Sequence, residues 1–311
     1  MQKGKQFYIQ LVLLSIFIAL LFAPKIQKPQ AIYKFNAKKV ILHNQILQWR
    51  YAKAIESPEN SALYIKNSIE FYLKRLPPYI LREKHILLTN NKTIHDCLAD
   101  YLKNTLDFHH RKISEGKRLL HLISPIKLLY IPDRHPSIQQ GQSRLSLKIQ
   151  KEIIHTINTY KIKVLFAEGL HSGKVTKERQ LRIVKKKAAR MGRVMSINSF
   201  ESFMKATPLK YWWFPFLNHT YYKLYGIEDN SLNSIISYLV YLAQKYRNKD
   251  IYLLMSALNY VWRDQLTLSI IVKTMHKLKA AKAVLVLGEF HKQTFKTLCA
   301  HWGINLEIRR L

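Results

Sequence analysis

From residue 125 onward the chain repeats a short apolar run followed by an amphipathic helix, and this alternation constrains its fold more than any other feature. Apolar runs at 126–131, 162–167, 224–227, 283–287 and 305–309 read as strands, with a further strand expected at 193–198. Apolar residues at three- and four-residue spacing read as helix over 138–160, 232–246, 251–279 and 293–301, with a basic helix ending near 190. Strands separated by helices of this length pair in parallel, so the expected class is α/β, a largely parallel sheet flanked by helices. Nine glycines in 311 residues, where average usage would give roughly 22, argue against a Gly-rich nucleotide-binding protein and against a turn-dense all-β sandwich. The two cysteines, Cys97 and Cys299, cannot make a cysteine zinc cluster or a disulfide framework.

Two segments precede this domain. Lys3 and Lys5 lead into an apolar run at 7–23, which reads residues 1–24 as a signal peptide or membrane anchor. The expectation is a membrane-anchored or exported chain whose body lies outside the cytoplasm and which meets the membrane through its N-terminal hydrophobic helix. Residues 33–122 show helical spacing broken at Pro77-Pro78 and read as an added helical region, leaving 123–311 as the α/β domain. His109-His110 falls in a strongly charged stretch and is expected on a solvated face.

Fifty-one Lys and Arg against nineteen Asp and Glu give a formal charge of +32, spread along the chain without a long basic block. That spread argues against nucleic acid as a partner and for weak attraction to anionic lipid headgroups. It also makes each acidic residue more informative. Asp133, Glu168, Glu228, Asp229, Asp264 and Glu289 all fall beside expected strand ends or in short polar motifs.

In an open α/β sheet, ligands bind beyond the carboxyl ends of the strands. Three expected strands end in reactive groups: the first in Pro132-Asp133-Arg134-His135, the second in Glu168-Gly169, and the fifth, counting 193–198, in Gly288-Glu289-Phe290-His291. If these strands are parallel neighbours, His135, Glu168 and His291 converge on one edge. Two imidazoles and a carboxylate suit a divalent metal, and equally suit metal-free acid–base catalysis.

The same residues carry a resemblance. Gly288-Glu289-Phe290-His291 after a strand resembles the second Gly-x-x-His motif of the TraB/Tiki superfamily, which includes ChaN-like haem-uptake proteins and erythromycin-esterase-like enzymes. Ala167-Glu168-Gly169 resembles its strand-terminal glutamate, and Arg263-Asp264-Gln265 its Arg-Asp element. Asp133-Arg134-His135 is similar to the first histidine motif, with Pro132 where the family has Gly, and 225–229 is similar to a segment of divergent bacterial members. The resemblance spans about residues 126–311. It implies a metal-dependent hydrolase of peptide or ester bonds, with His135, Glu168 and His291 as metal ligands. Glu168, Arg263, Asp264 and Glu289 would be the catalytic residues. Arg263 would stabilise oxyanion charge and Asp264 would orient a histidine.

The aromatic stretch 211–216, continued by Tyr221, Tyr222 and Tyr225, reads as core or membrane-interface packing, or as the wall of a pocket for a small apolar or planar ligand. Haem is permitted there. The alternatives to a hydrolase are therefore a non-catalytic haem or apolar-ligand binding protein and an inactive membrane-associated scaffold.

Overall fold

A computed structural model describes residues 51–85, 91–123, 125–133, 142–190, 212–217, 219 and 221–309. The apolar run at 7–23, the strand expected at 193–198, Tyr211 and His135 lie outside the described residues. Among the described residues no helix is long and apolar enough to cross a membrane.

Six strands form one sheet: β1 (Lys127–Asp133), β2 (Val164–His171), β3 (Gly173–Lys174), β4 (Lys223–Glu228), β5 (Lys282–Gly288) and β6 (Asn305–Ile308). Their order is β3-β4-β2-β5-β1-β6, all parallel except the two-residue β3, which runs antiparallel to β4 at the edge. The expected α/β class and its largely parallel sheet are therefore observed. β5 enters last but one and inserts between β1 and β2, which places the ends of three reactive strands side by side. Asp133 pairs with Gly288, and Ala167 with Val286 one step short of Glu168.

Alternation along each strand builds two cores. One face carries Leu129, Ile131, Leu165, Ala167, Val284 and Val286, packed with Ile149, Ile153 and Ile157 of helix α5 (Gln142–Tyr160) and with Trp212 and Phe216. The aromatic stretch thus puts Trp212 and Phe216 into a core, with Trp213 and Tyr222 packed against it. Between α5 and the next strand-linked helix, α6 (Lys177–Arg190), lie β2 and β3. On the other face Tyr130 meets Phe295 of α10 (Lys292–His301).

The helices before the sheet are α1 (Pro58–Arg75), α2 (Pro78–Leu81), α3 (Ile94–Asp100) and α4 (Leu106–Leu119). Ser57 caps α1, with Pro58 at its first position, and a Thr93/Asp96 capping box starts α3. Between β4 and β5 come α7 (Asn230–Tyr246), α8 (Lys249–Ser256) and α9 (Asp264–Leu278). The helix expected over 251–279 is there, but interrupted by a π-helical turn at Ala257–Arg263. A second π turn, Tyr101–Thr105, joins α3 to α4.

The N-terminal helices belong to the same compact unit as the sheet, residues 48–311. α4 crosses α9 so closely that a Cβ at Gly116 would run into Ser269, whose hydroxyl donates to the Lys112 carbonyl. His109, expected on a solvated face, is buried in this helix layer at 1% exposure. Local charge suggested solvent, but tertiary packing of α4 decides the matter.

β2 bulges between Ala167 and His171 against β4, and Gly169 adopts a φ of +79° within that bulge. Gly226 of β4 passes directly beneath, where a Cβ would collide with the carbonyls of Leu170 and His171. Gly226→Ala should therefore destabilise the protein by about 1–3 kcal/mol, lowering the thermal midpoint by about 2–4 °C for each kcal/mol. An unchanged midpoint in a melting experiment would contradict so close an approach of the two strands.

Candidate functional site

The carboxyl edge of the sheet gathers Glu168 from β2, Glu228 from β4 and His291 from the turn after β5. Against them the π turn sets Arg263, adjoined at once by Asp264 on α9. Alternation explains the first placement. Ala167 faces the α5 side, so Glu168 faces the opposite side, toward the helix that carries Arg263. A π turn inserts one residue into a helix and re-aims the side chains beyond it, a device frequent at functional sites. Here it delivers Arg263 to the strand ends.

Arg263 is the hub. Its Nη2 donates to Glu168 Oε1 at 2.6 Å and to Glu228 Oε1 at 2.8 Å. Its Nη1 donates to Asn259 Oδ1 at 2.9 Å and to His291 Nε2 at 3.1 Å. The carboxylates are themselves held. Glu168 Oε2 accepts the Gly288 backbone N–H. Glu228 accepts the Gly169 N–H at 2.8 Å, a contact the β2 bulge makes available, and the Asn233 amide. Gly288 is fixed from its other side by Tyr130, whose hydroxyl donates to its carbonyl at 2.7 Å.

His291 is buried between two partners. Its Nδ1 lies 2.7 Å from Asp264 Oδ1, and Thr294 donates to Asp264 Oδ2 at 2.9 Å. A guanidinium can only donate, so Nε2 accepts and the ring proton sits on Nδ1, directed at Asp264. One carboxylate thus selects the tautomer and orientation of the imidazole. The Tyr260 ring lies 5.3 Å from that of His291, and burial, with Tyr252 and Asp264 nearby, pushes its hydroxyl up to about 12.

Burial alone would raise the carboxyl pKa of Glu168, but the Arg263 guanidinium, with the Gly288 N–H, outweighs it and holds the carboxyl well below its ordinary value. Burial works against the charge of Arg263 as well, and Glu168 and Glu228 more than restore it, so its pKa is raised.

Of the residues singled out in the sequence, Glu168, Arg263, Asp264 and His291 come together here. Glu289 opens the turn Glu289–His291 and is half-buried. His135 lies outside the described residues, so the histidine pair has only one member on view. Glu228 is the addition. As the residue just past an expected strand and one of few acids it was visible, but its partnership with Arg263 depends on the bulge and the π turn.

The guanidinium stands on Glu168 Oε1 and His291 Nε2, the two atoms that a metal reading gives to a cation, and these lie 3.8 Å apart. Among the described residues no group of three His, Cys, Asp or Glu side chains is set to hold a metal ion. As arranged, the described residues form a guanidinium-centred site. Compared with protein-family models, curated proteins and solved structures, the chain gives no match, and the site is read from its own residues.

The Glu168–Arg263 pair has a defined pH signature. Because the folded pKa of Glu168 lies below its ordinary 4.5, its contribution is complete above that range and is lost as pH falls toward about 2. Glu168→Gln should cost about 3 kcal/mol at neutral pH by leaving a buried cation under-paired. The gap from wild type should close between about pH 4.5 and pH 2. Denaturant unfolding across that range checks this, and a gap that does not change with pH would contradict the pairing.

Proposed function

We propose that this chain is a hydrolase of peptide or ester bonds that works by general acid–base catalysis at the carboxyl edge of its sheet. The observation that carries the reading is the Asp264–His291–Arg263 relay, an imidazole whose tautomer is set by a carboxylate and whose free nitrogen faces a guanidinium. A water that displaces Arg263 Nη1 from His291 Nε2 becomes hydrogen-bonded to a base. Its oxygen attacks the carbonyl carbon as His291 takes the proton, and Asp264 stabilises the imidazolium. The released guanidinium N–H then donates to the tetrahedral oxyanion. Collapse breaks the bond to the leaving group, which receives the proton from His291. Glu168 and Glu228 act as positioning residues that hold Arg263 in place through both steps.

Metal-dependent hydrolysis is the second reading, with His135, Glu168 and His291 as ligands. What favours it is charge and geometry. Three carboxylates, Glu168, Glu228 and Asp264, gather around a single guanidinium. Metal-bound histidines characteristically give their other ring N–H to a carboxylate, as His291 does. It requires Arg263 to leave both atoms it now contacts. We place the body of the protein outside the cytoplasm, tethered by its N-terminal hydrophobic run.

The test is turnover of a panel of nitrophenyl esters and fluorogenic peptides by the full-length chain in detergent, with and without chelator, beside elemental and haem absorbance measurements. Expected is hydrolysis that survives chelation and falls by about 10²–10⁴ in His291→Ala. The fall should be comparable in Arg263→Lys, which keeps the charge but not the fork geometry. Activity abolished by chelator and restored by one metal per chain would replace this mechanism with the metal reading. Retained haem without turnover would replace it with a binding function.

A further inference from the structure

A second polar chain is buried beneath the site, and nothing in the proposed chemistry uses it. Trp262 Nε1 lies 2.6 Å from Tyr101 Oη, Tyr101 Oη lies 2.8 Å from His109 Nδ1, and His109 Nε2 lies 3.3 Å from Asp229 Oδ2. Trp262, Tyr101 and His109 are each at most 2% exposed. With a neutral His109 imidazole, every hydrogen in this chain has one place to go. An indole N–H can only donate, so the Tyr101 oxygen accepts it and its own hydrogen goes to His109 Nδ1. The ring proton of His109 then sits on Nε2, directed at Asp229. Burial, opposed more strongly by the His109 contact, leaves the Asp229 carboxyl pKa well below the usual range.

Both ends of this chain are covalent neighbours of the site. Trp262 precedes Arg263, and Asp229 comes directly after Glu228. Both partners of its first bond stand in π turns, Tyr101 in one and Trp262 in the other. Asp229 meanwhile caps α7 through its other oxygen, Oδ1, which accepts the N–H groups of Ser231 and Leu232.

We infer that the Trp262–Tyr101–His109–Asp229 chain is a positioning brace by which the N-terminal helix layer sets Arg263 and Glu228 for the site chemistry. The inference rests on the reading of Arg263 and His291 as the site's working pair. The helix layer would then be a working part of the enzyme, because it supplies the two middle links. None of the four brace residues touches the reacting atoms.

The two histidines are predicted to hold opposite tautomers, Nε2–H in His109 and Nδ1–H in His291, which ring-nitrogen NMR of the full-length protein in detergent distinguishes directly. Tyr101→Phe removes the central hydroxyl. Asp229→Asn keeps the cap through Oδ1 but places an NH2 donor against the His109 N–H, and so breaks the brace even if Tyr101→Phe fails to fold. Expected in either variant are altered His291 ring resonances, although neither substitution touches that residue. On a hydrolysed ester, kcat should fall at least tenfold with KM within twofold. His110→Gln, on the same helix but outside the brace, its Nε2 lying 3.7 Å from Glu59 Oε1, should move neither. Absence of turnover in the wild type would remove the hydrolase reading while the His291 resonances still test the brace. Unchanged His291 resonances in folded Asp229→Asn would overturn it.

Discussion

A buried guanidinium is the constraint on which the rest of this structure depends. Taking Arg263 out of water is costly, and that cost is offset only if its donors are met by acceptors held in place. Glu168 and Glu228 meet them from two strands, and His291 from the turn after a third. The bulge in β2 and the π turn before α9 are the backbone adjustments that let these groups reach one point. Each is a local departure from regular structure at the place where the chemistry is proposed.

The sheet order makes this convergence possible. Insertion of β5 between β1 and β2 aligns three strand ends, and the close helix crossing at Gly116 and Ser269 packs the N-terminal helices onto the helix that carries Arg263. A strongly basic chain thus concentrates three of its nineteen acidic residues around one arginine. Because those acids are shielded among their own hydrogen bonds, their arrangement is set by the fold and not by the surface charge.

Much of the sheet was legible in the sequence, because a period of two in the strands and of 3.6 in the helices writes burial directly into residue order. Glu168 and His291 were legible for the same reason, as polar residues placed just past buried runs. Arg263 and Asp264 were identified by motif, and the structure adds what the motif does not say, namely that one holds and the other orients the same imidazole. The π turns were not legible, since an extra residue within a helix leaves the apolar spacing of 251–279 almost intact. His109 was misread because its sequence neighbours are charged, while the polar chain it joins, through Tyr101 to Trp262 on one side and to Asp229 on the other, draws two of its members from more than a hundred residues away.

The central claim is that Arg263 is locked between two carboxylates and an imidazole. Nitrogen-15 spectra of the arginine guanidinium groups at neutral pH test it most directly, because a guanidinium fixed by several acceptors rotates slowly and exchanges slowly with water. The account predicts a set of resolved, protected Nη signals that is lost in Arg263→Lys. Spectra in which every guanidinium rotates and exchanges as freely as an exposed one would contradict it.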